Sequence, residues 1–149
     1  MICGSSPVLL GDESIKIFEA NGDTIGILFL NAVFDAPDYK KLESLLTVLK
    51  KQSDTQIVYV HWGDEYKLIH NDFQEKLAHA LIDFGSDVVI GHHPHVIQDV
   101  EMYESKPIFY SLGNFIFDQY FSEDVQEELG LSIKMTEAKM IISLVPFTS

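Results

Sequence analysis

Apolar side chains recur along this sequence with two different periods, and the switches between them predict most of the elements. Ile15 to Ala20 and Thr24 to Asn31 are rich in β-branched and aromatic residues and are separated by Asn21-Gly22-Asp23. Asn-Gly favours the positive φ angles of a tight turn, so the two runs read as a hairpin. The period then lengthens. Leu42, Leu45, Leu46 and Leu49 fall at i, i+3, i+4 and i+7, one stripe on a helix from about Asp38 to Lys51 that leaves Lys40, Glu43 and Lys50 in water. Ile57 to His61 is a short run of strand formers, expected to be buried on both faces. A second helix is predicted from about Asp72 to Phe84. Asn71 is its N-cap, Gln74 the reciprocal capping partner, and Phe73, Leu77, Ala80, Leu81 and Phe84 its apolar stripe before Gly85 ends it. Asp87 to Gly91 reads as another buried strand. The 25 residues between His61 and Asp87 are too many for a hairpin and enough for a parallel crossover. Beyond it the pattern predicts strands over Val96 to Tyr103, Ile108 to Leu112 and Phe115 to Phe117, with a turn at Glu104 to Pro107. A closing pair follows around Leu131 to Met135 and Met140 to Val145. The fold class is α/β with a mixed sheet, in one domain from residue 15 to residue 149 after a poorly defined segment, 1–14.

Charge narrows the choice of partners. Ten Lys and Arg stand against 23 Asp and Glu in 149 residues, a formal net charge of −13. Such a surface repels nucleic acid, which needs clustered cations, and suits divalent metal ions. Cys3 is the single cysteine, so no disulfide organises the fold. Near the terminus and without a base beside it, Cys3 is not read as a nucleophile. The most apolar stretch, Ile25 to Phe34, is too short to cross a bilayer, and the opening MICGSSP has neither the basic start nor the apolar run of a signal peptide.

The densest chemical signal is Gly91-His92-His93-Pro94-His95, with three of the six histidines in four positions. Pro94 disfavours helix at His93, which predicts extended backbone with His93 and His95 pointing to one side. Two imidazoles at that spacing chelate zinc, iron, manganese or nickel. The alternative is a histidine-rich turn that caps a strand and bonds locally. His61 ends its own strand, one crossover away, and ligands in open α/β sheets bind at the carboxyl rim. His61-Trp62-Gly63-Asp64-Glu65-Tyr66 adds carboxylates, with Glu65 or Asp64 as outer-shell acceptor, substrate contact or general acid/base, or simply solvated loop charges. In Tyr110-Ser111-Leu112-Gly113-Asn114-Phe115, glycine marks a close backbone approach, and Asn114 either lines the site or satisfies a turn. His70 is placed in a loop and His79 on the wet side of its helix, neither with a role.

Four stretches together resemble the CapA-type proteins of poly-γ-glutamate capsule biosynthesis, a branch of the calcineurin-like metallophosphoesterases. They are His61 to Tyr66, Gln74 to Ile90, Gly91 to Val96 and Lys106 to Phe115, in family order and at family spacing. The resemblance runs from about Ile15 to Pro146 and implies the C-terminal part of a two-sheet αββα sandwich with a two-metal rim that hydrolyses phosphate esters. It implies His61, His93 and His95 as metal ligands and His92 as a neighbouring substrate or outer-shell contact; on the residues taken together, His92 and Glu65 are the catalytic candidates and Asn114 the substrate-binding one. Members are often anchored at the bacterial cell surface. The superfamily's upstream Asp and Asn-His ligand motifs have no match before Ile15. Three histidines do not saturate two ions, so at most one ion is expected here. Strands missing upstream would leave a free sheet edge and an uncovered apolar face, which implies self-association or pairing with an N-terminal portion. The competing expectation is a non-catalytic scaffold or binding subunit in assembly or export of an anionic capsule polymer.

Overall fold

A computed structural model describes residues 14–115, 121–136 and 140–148; Cys3 and most of the expected Phe115 to Phe117 strand lie outside them. Strands β1 (Ile15–Ala20) and β2 (Asp23–Asn31) form the predicted hairpin, with Asn21 and Gly22 both at positive φ in its two-residue turn. Helix α1 (Tyr39–Gln52) leads to β3 (Thr55–His61), and α2 (Asp72–Asp83) to β4 (Val88–His92). Next come β5 (Val100–Tyr103), β6 (Lys106–Phe109) and a hairpin of β7 (Glu127–Met135) and β8 (Met140–Thr148). The main sheet has the order β1-β2-β3-β4-β6-β5, parallel through β2, β3, β4 and β6 and antiparallel at both edges. The mixed α/β sheet is therefore as the sequence implied.

Alternation along the strands sorts the core into two layers. Leu28, Leu30, Val58, Val60, Val89 and Ile108 face both helices, where they meet Leu42, Leu46, Leu49, Leu77 and Leu81. A fully buried leucine of this kind contributes about 1.5–3 kcal/mol. The opposite face carries Ile57, Val88, Ile90 and Phe109, packed under Leu131, Ile133, Met140 and Ile142 of β7–β8. Three layers result: helices, main sheet, hairpin. The closing hairpin covers Ile57, Val88, Ile90 and Phe109 on that face, Val100 and Met102 of β5 stay exposed, and β1 and β5 remain as sheet edges.

Local signals set the helix ends. Asp38 accepts from the amides of Lys40 and Lys41, and Asn71 with Gln74 forms the full capping box. Gly85, at φ +116, closes α2 with its amide bonded to the Ile82 carbonyl and that of Ser86 to Leu81, a Schellman end. Other expectations need correction. Of Val96 to Tyr103 only Val100–Tyr103 is strand, with Ile97 making a single bridge to Leu112. β6 starts at Lys106 and ends at Phe109, so the turn is confined to Glu104 and Ser105. On α2, Ala78 and Ile82 are buried where Ala80 and Phe84 are only half-buried.

Candidate metal centre

Two strand ends place the first two histidines. His61 and His92 are the last residues of β3 and β4, directly paired in the parallel ladder and on the face turned from the helices, above Tyr59 and Ile90. The next residue, Trp62, turns the other way and is fully buried, its indole Nε1–H donating to the Tyr110 carbonyl at 2.9 Å. Its amide donates to the His92 carbonyl at 3.0 Å, so the ladder continues for one bond past the strand ends.

The loop after β4 is not extended. His93 has φ +108 and His95 φ +62, and such positions cost about 1–3 kcal/mol each for non-glycine residues unless the surroundings hold them. Pro94 does keep the segment out of helix, but alternation does not decide where the rings go. They converge nonetheless. The ring of His93 is centred 4.5 Å from that of His61 and 5.9 Å from that of His95, and His92 stands edge-on to His61 at 5.8 Å. The Tyr66 amide, donating to the Pro94 carbonyl at 2.8 Å, ties the loop after β3 to the histidine loop. The Tyr66 ring stacks over His95.

Hydrogen bonds fix which nitrogen faces the site. Asn114 is buried, its amide Nδ2–H donating to the Val125 carbonyl at 2.9 Å, so its Oδ1 accepts from His95 Nδ1–H at 2.7 Å. Nε2 of His95 is then the lone-pair nitrogen. Asn114 therefore sits behind His95. The buried Nδ1 of His61 has no hydrogen-bond partner among the described residues. Burial, then the rings of His93, His92 and His95, lowers the His61 pKa to about 4. Burial and neighbouring rings also lower those of His92 and His93, the carboxylates of Glu65 and Asp64 pulling His93 the other way. Neutral imidazoles at neutral pH are metal-ready donors.

Glu65, His93 and His95 each offer a donor atom within 4.8 Å of the other two. Asp64 is spoken for at the helix cap, where its Oδ2 accepts from Asn71 Nδ2 at 2.7 Å. His70 and His79 lie elsewhere. His79 is half-buried against Tyr103 and Glu101, not on a wet face. Two features of the site escape the sequence patterns. Gln74 and Gln98, both buried, join by a side-chain hydrogen bond of 2.9 Å, and Gln98 also donates to the Lys67 carbonyl at 2.8 Å, holding the loop that carries Glu65. A side chain at Gly91 would strike the Tyr110 carbonyl and the Trp62 indole. The amide inside the Val96-Ile97-Gln98 run and the glycine inside a strand were the available signals.

Residues 12–119 match the bacterial capsule synthesis protein family PGA_cap. The chain belongs to that family. A PGA_cap relative, the PGA biosynthesis protein CapA of Bacillus subtilis (strain 168), is 43% identical over 108 residues, which are 72% of this chain and 27% of that protein. The chain thus spans about a quarter of that relative's length. Among solved structures, a Staphylococcus aureus protein described as a 5'-nucleotidase, in complex with alpha-ketoglutarate, superposes with a TM-score of 0.62 at 16% identity, covering 93% of this chain and 30% of that one. A Mycoplasma pneumoniae phosphatase gives a TM-score of 0.62, also at 16%, covering 91% and 57%. These likenesses show that the PGA_cap chain shares its mixed α/β fold with those two proteins.

Proposed function

We propose that this chain is the C-terminal part of a CapA-like, metal-dependent phosphoesterase of capsule polyglutamate synthesis, with His61, His93 and His95 as metal ligands. The observation that carries the reading is the gathering of these three rings at the carboxyl rim, with a buried His61 nitrogen left without a partner among the described residues. The donor set fits a first-row divalent ion, because neutral imidazole nitrogens and an adjacent carboxylate are its usual ligands. When bound, such an ion lowers the pKa of a coordinated water and neutralises phosphoryl charge. Asn114 keeps His95 in the tautomer that presents Nε2, which makes it a positioning residue more than a substrate contact. His92, edge-on to His61, is the imidazole left for proton transfer or substrate contact. Ligands from an upstream segment would complete a second position, and the edge strand β1 offers such a segment a place to pair.

The test compares this chain with a longer one carrying the upstream region. Metal content and hydrolysis of bis-p-nitrophenyl phosphate are measured in both, and His93→Ala with His95→Ala should abolish metal-dependent turnover in the longer form. No metal-dependent turnover in that form sinks the reading. A scaffold for an anionic polymer would keep its partners after the double histidine replacement, whereas the enzyme would lose metal and activity.

A further inference from the structure

Resting on the reading of the rim as a metal centre, we infer that Glu65, His93 and His95 form a two-imidazole, one-carboxylate site which this chain completes by itself, with Glu65 as a ligand. That role differs from the outer-shell, substrate-contact and acid–base roles its sequence context left open. Donor atoms of these three lie within 4.8 Å of one another, and neither His61 nor His92 joins a group of that tightness among the described residues. Around a first-row ion with bonds of about 2.0–2.2 Å, donors end about 3 to 4.2 Å apart, so a contraction of roughly 1 Å closes the site. Glu65 can supply it. Its side chain is exposed and has no hydrogen bond among the described residues, unlike neighbouring Asp64, whose carboxylate caps Asn71.

The backbone brings this triad together before any ion arrives. The Tyr66 amide bonds the Pro94 carbonyl, so the residue after Glu65 is pinned to the residue between the two histidines. Gln98 fixes the far side of the same loop through the Lys67 carbonyl, and Asn114 sets the His95 tautomer. Ordering costs at the three donors are therefore reduced in advance. His61, whose buried nitrogen has no partner among the described residues, belongs to a second position that lacks a comparable set among them. Two nitrogens and one oxygen favour zinc, cobalt, manganese or iron over magnesium or calcium.

Cobalt(II) and zinc(II) titrated into the 149-residue chain, followed by cobalt visible absorption and by calorimetric stoichiometry, test this. One ion per chain is expected, with Glu65→Gln weakening affinity at least tenfold at unchanged melting temperature and His61→Ala changing it less than threefold. If His61→Ala abolishes binding and Glu65→Gln leaves it intact, the ion sits on the three histidines; the inference falls and the metal-centre reading stands. Failure of the parent chain to bind either ion also overturns the inference, while turnover by the longer form still decides the reading. Binding that survives His93→Ala with His95→Ala overturns both.

Discussion

The six histidines divide into two groups whose nitrogens meet different neighbours. His70 lies flat on Tyr110, ring centres 3.7 Å apart, and its Nδ1–H donates to Asp99 at 2.8 Å; His79 lies flat on Tyr103 at 3.9 Å and its Nε2–H donates to Glu101 at 2.9 Å. Each is a cross-brace with a carboxylate on one side and a phenol beneath. At the rim, by contrast, the rings of His61, His92 and His93 face mainly one another, and among the described residues no hydrogen-bonded carboxylate stands by His61 to favour a proton. Like-charged neighbours and burial drive protons off that group, which is what a cation needs in order to replace them. A count of histidines cannot separate the two groups. Their partners do.

Replacing both His93 and His95 by alanine should break the rim group most severely: metal affinity falls by about 100-fold or more, about 2.7 kcal/mol, while the melting temperature without metal stays within about 2 °C. Calorimetry and thermal denaturation on the same samples check it. Asn114→Ala should cost about 10–100-fold in affinity, the range for a group that only orients a ligand, and Asn114→Asp should recover part of it because a carboxylate still accepts from Nδ1–H. In the brace group the order reverses. His79→Ala should destabilise by about 1–2 kcal/mol in chemical denaturation, since it removes a hydrogen bond from Glu101 and a stacked ring from Tyr103, yet leave metal affinity within twofold.

The smallest expected effect is a pH dependence of the brace. Burial raises the Glu101 pKa, but hydrogen bonds from Tyr110 and His79 outweigh it and hold the carboxyl below its ordinary value. A depressed folded pKa contributes stability above the unfolded carboxylate pKa, and this is lost as pH falls through the lowered one. Stability should therefore decline in that acid window by under about 1 kcal/mol on account of this group, and Glu101→Gln should flatten that part of the curve. An unchanged slope in the variant would mean the carboxylate contributes nothing.

Much of this was legible in the sequence because it is written in short-range chemistry. Asn21-Gly22 set the hairpin turn, Leu42 to Leu49 set the buried stripe of α1, and Asn71 with Gln74 capped α2 as expected. The crossover between His61 and Asp87 put two strand ends side by side, which was enough to bring His61 near the histidine loop. What stayed hidden depends on contacts distant in sequence. His93 and His95 take positive φ in a loop whose His92 and Pro94 carbonyls accept from the distant Trp62 and Tyr66 amides, so Pro94 alone misled on the backbone while the rings still met. His79 looked solvent-facing on a helical wheel because Tyr103 and Glu101, which cover it, come from β5. Glu65 and Asp64 are adjacent and alike in sequence; the hydrogen bond from Asn71 to Asp64 and the nearness of Glu65 to His93 and His95 distinguish them.

Gly91 carries a consequence for how the rim can vary. Trp62 Nε1–H and the Tyr110 carbonyl bond one another across the space where its side chain would be, so even a methyl group there must pry β4 from β6 or evict the indole. Position 91 thus acts as a fixed datum: the histidines begin one residue beyond it, and the loops around them can change length or composition without altering how high above the sheet the first imidazole stands.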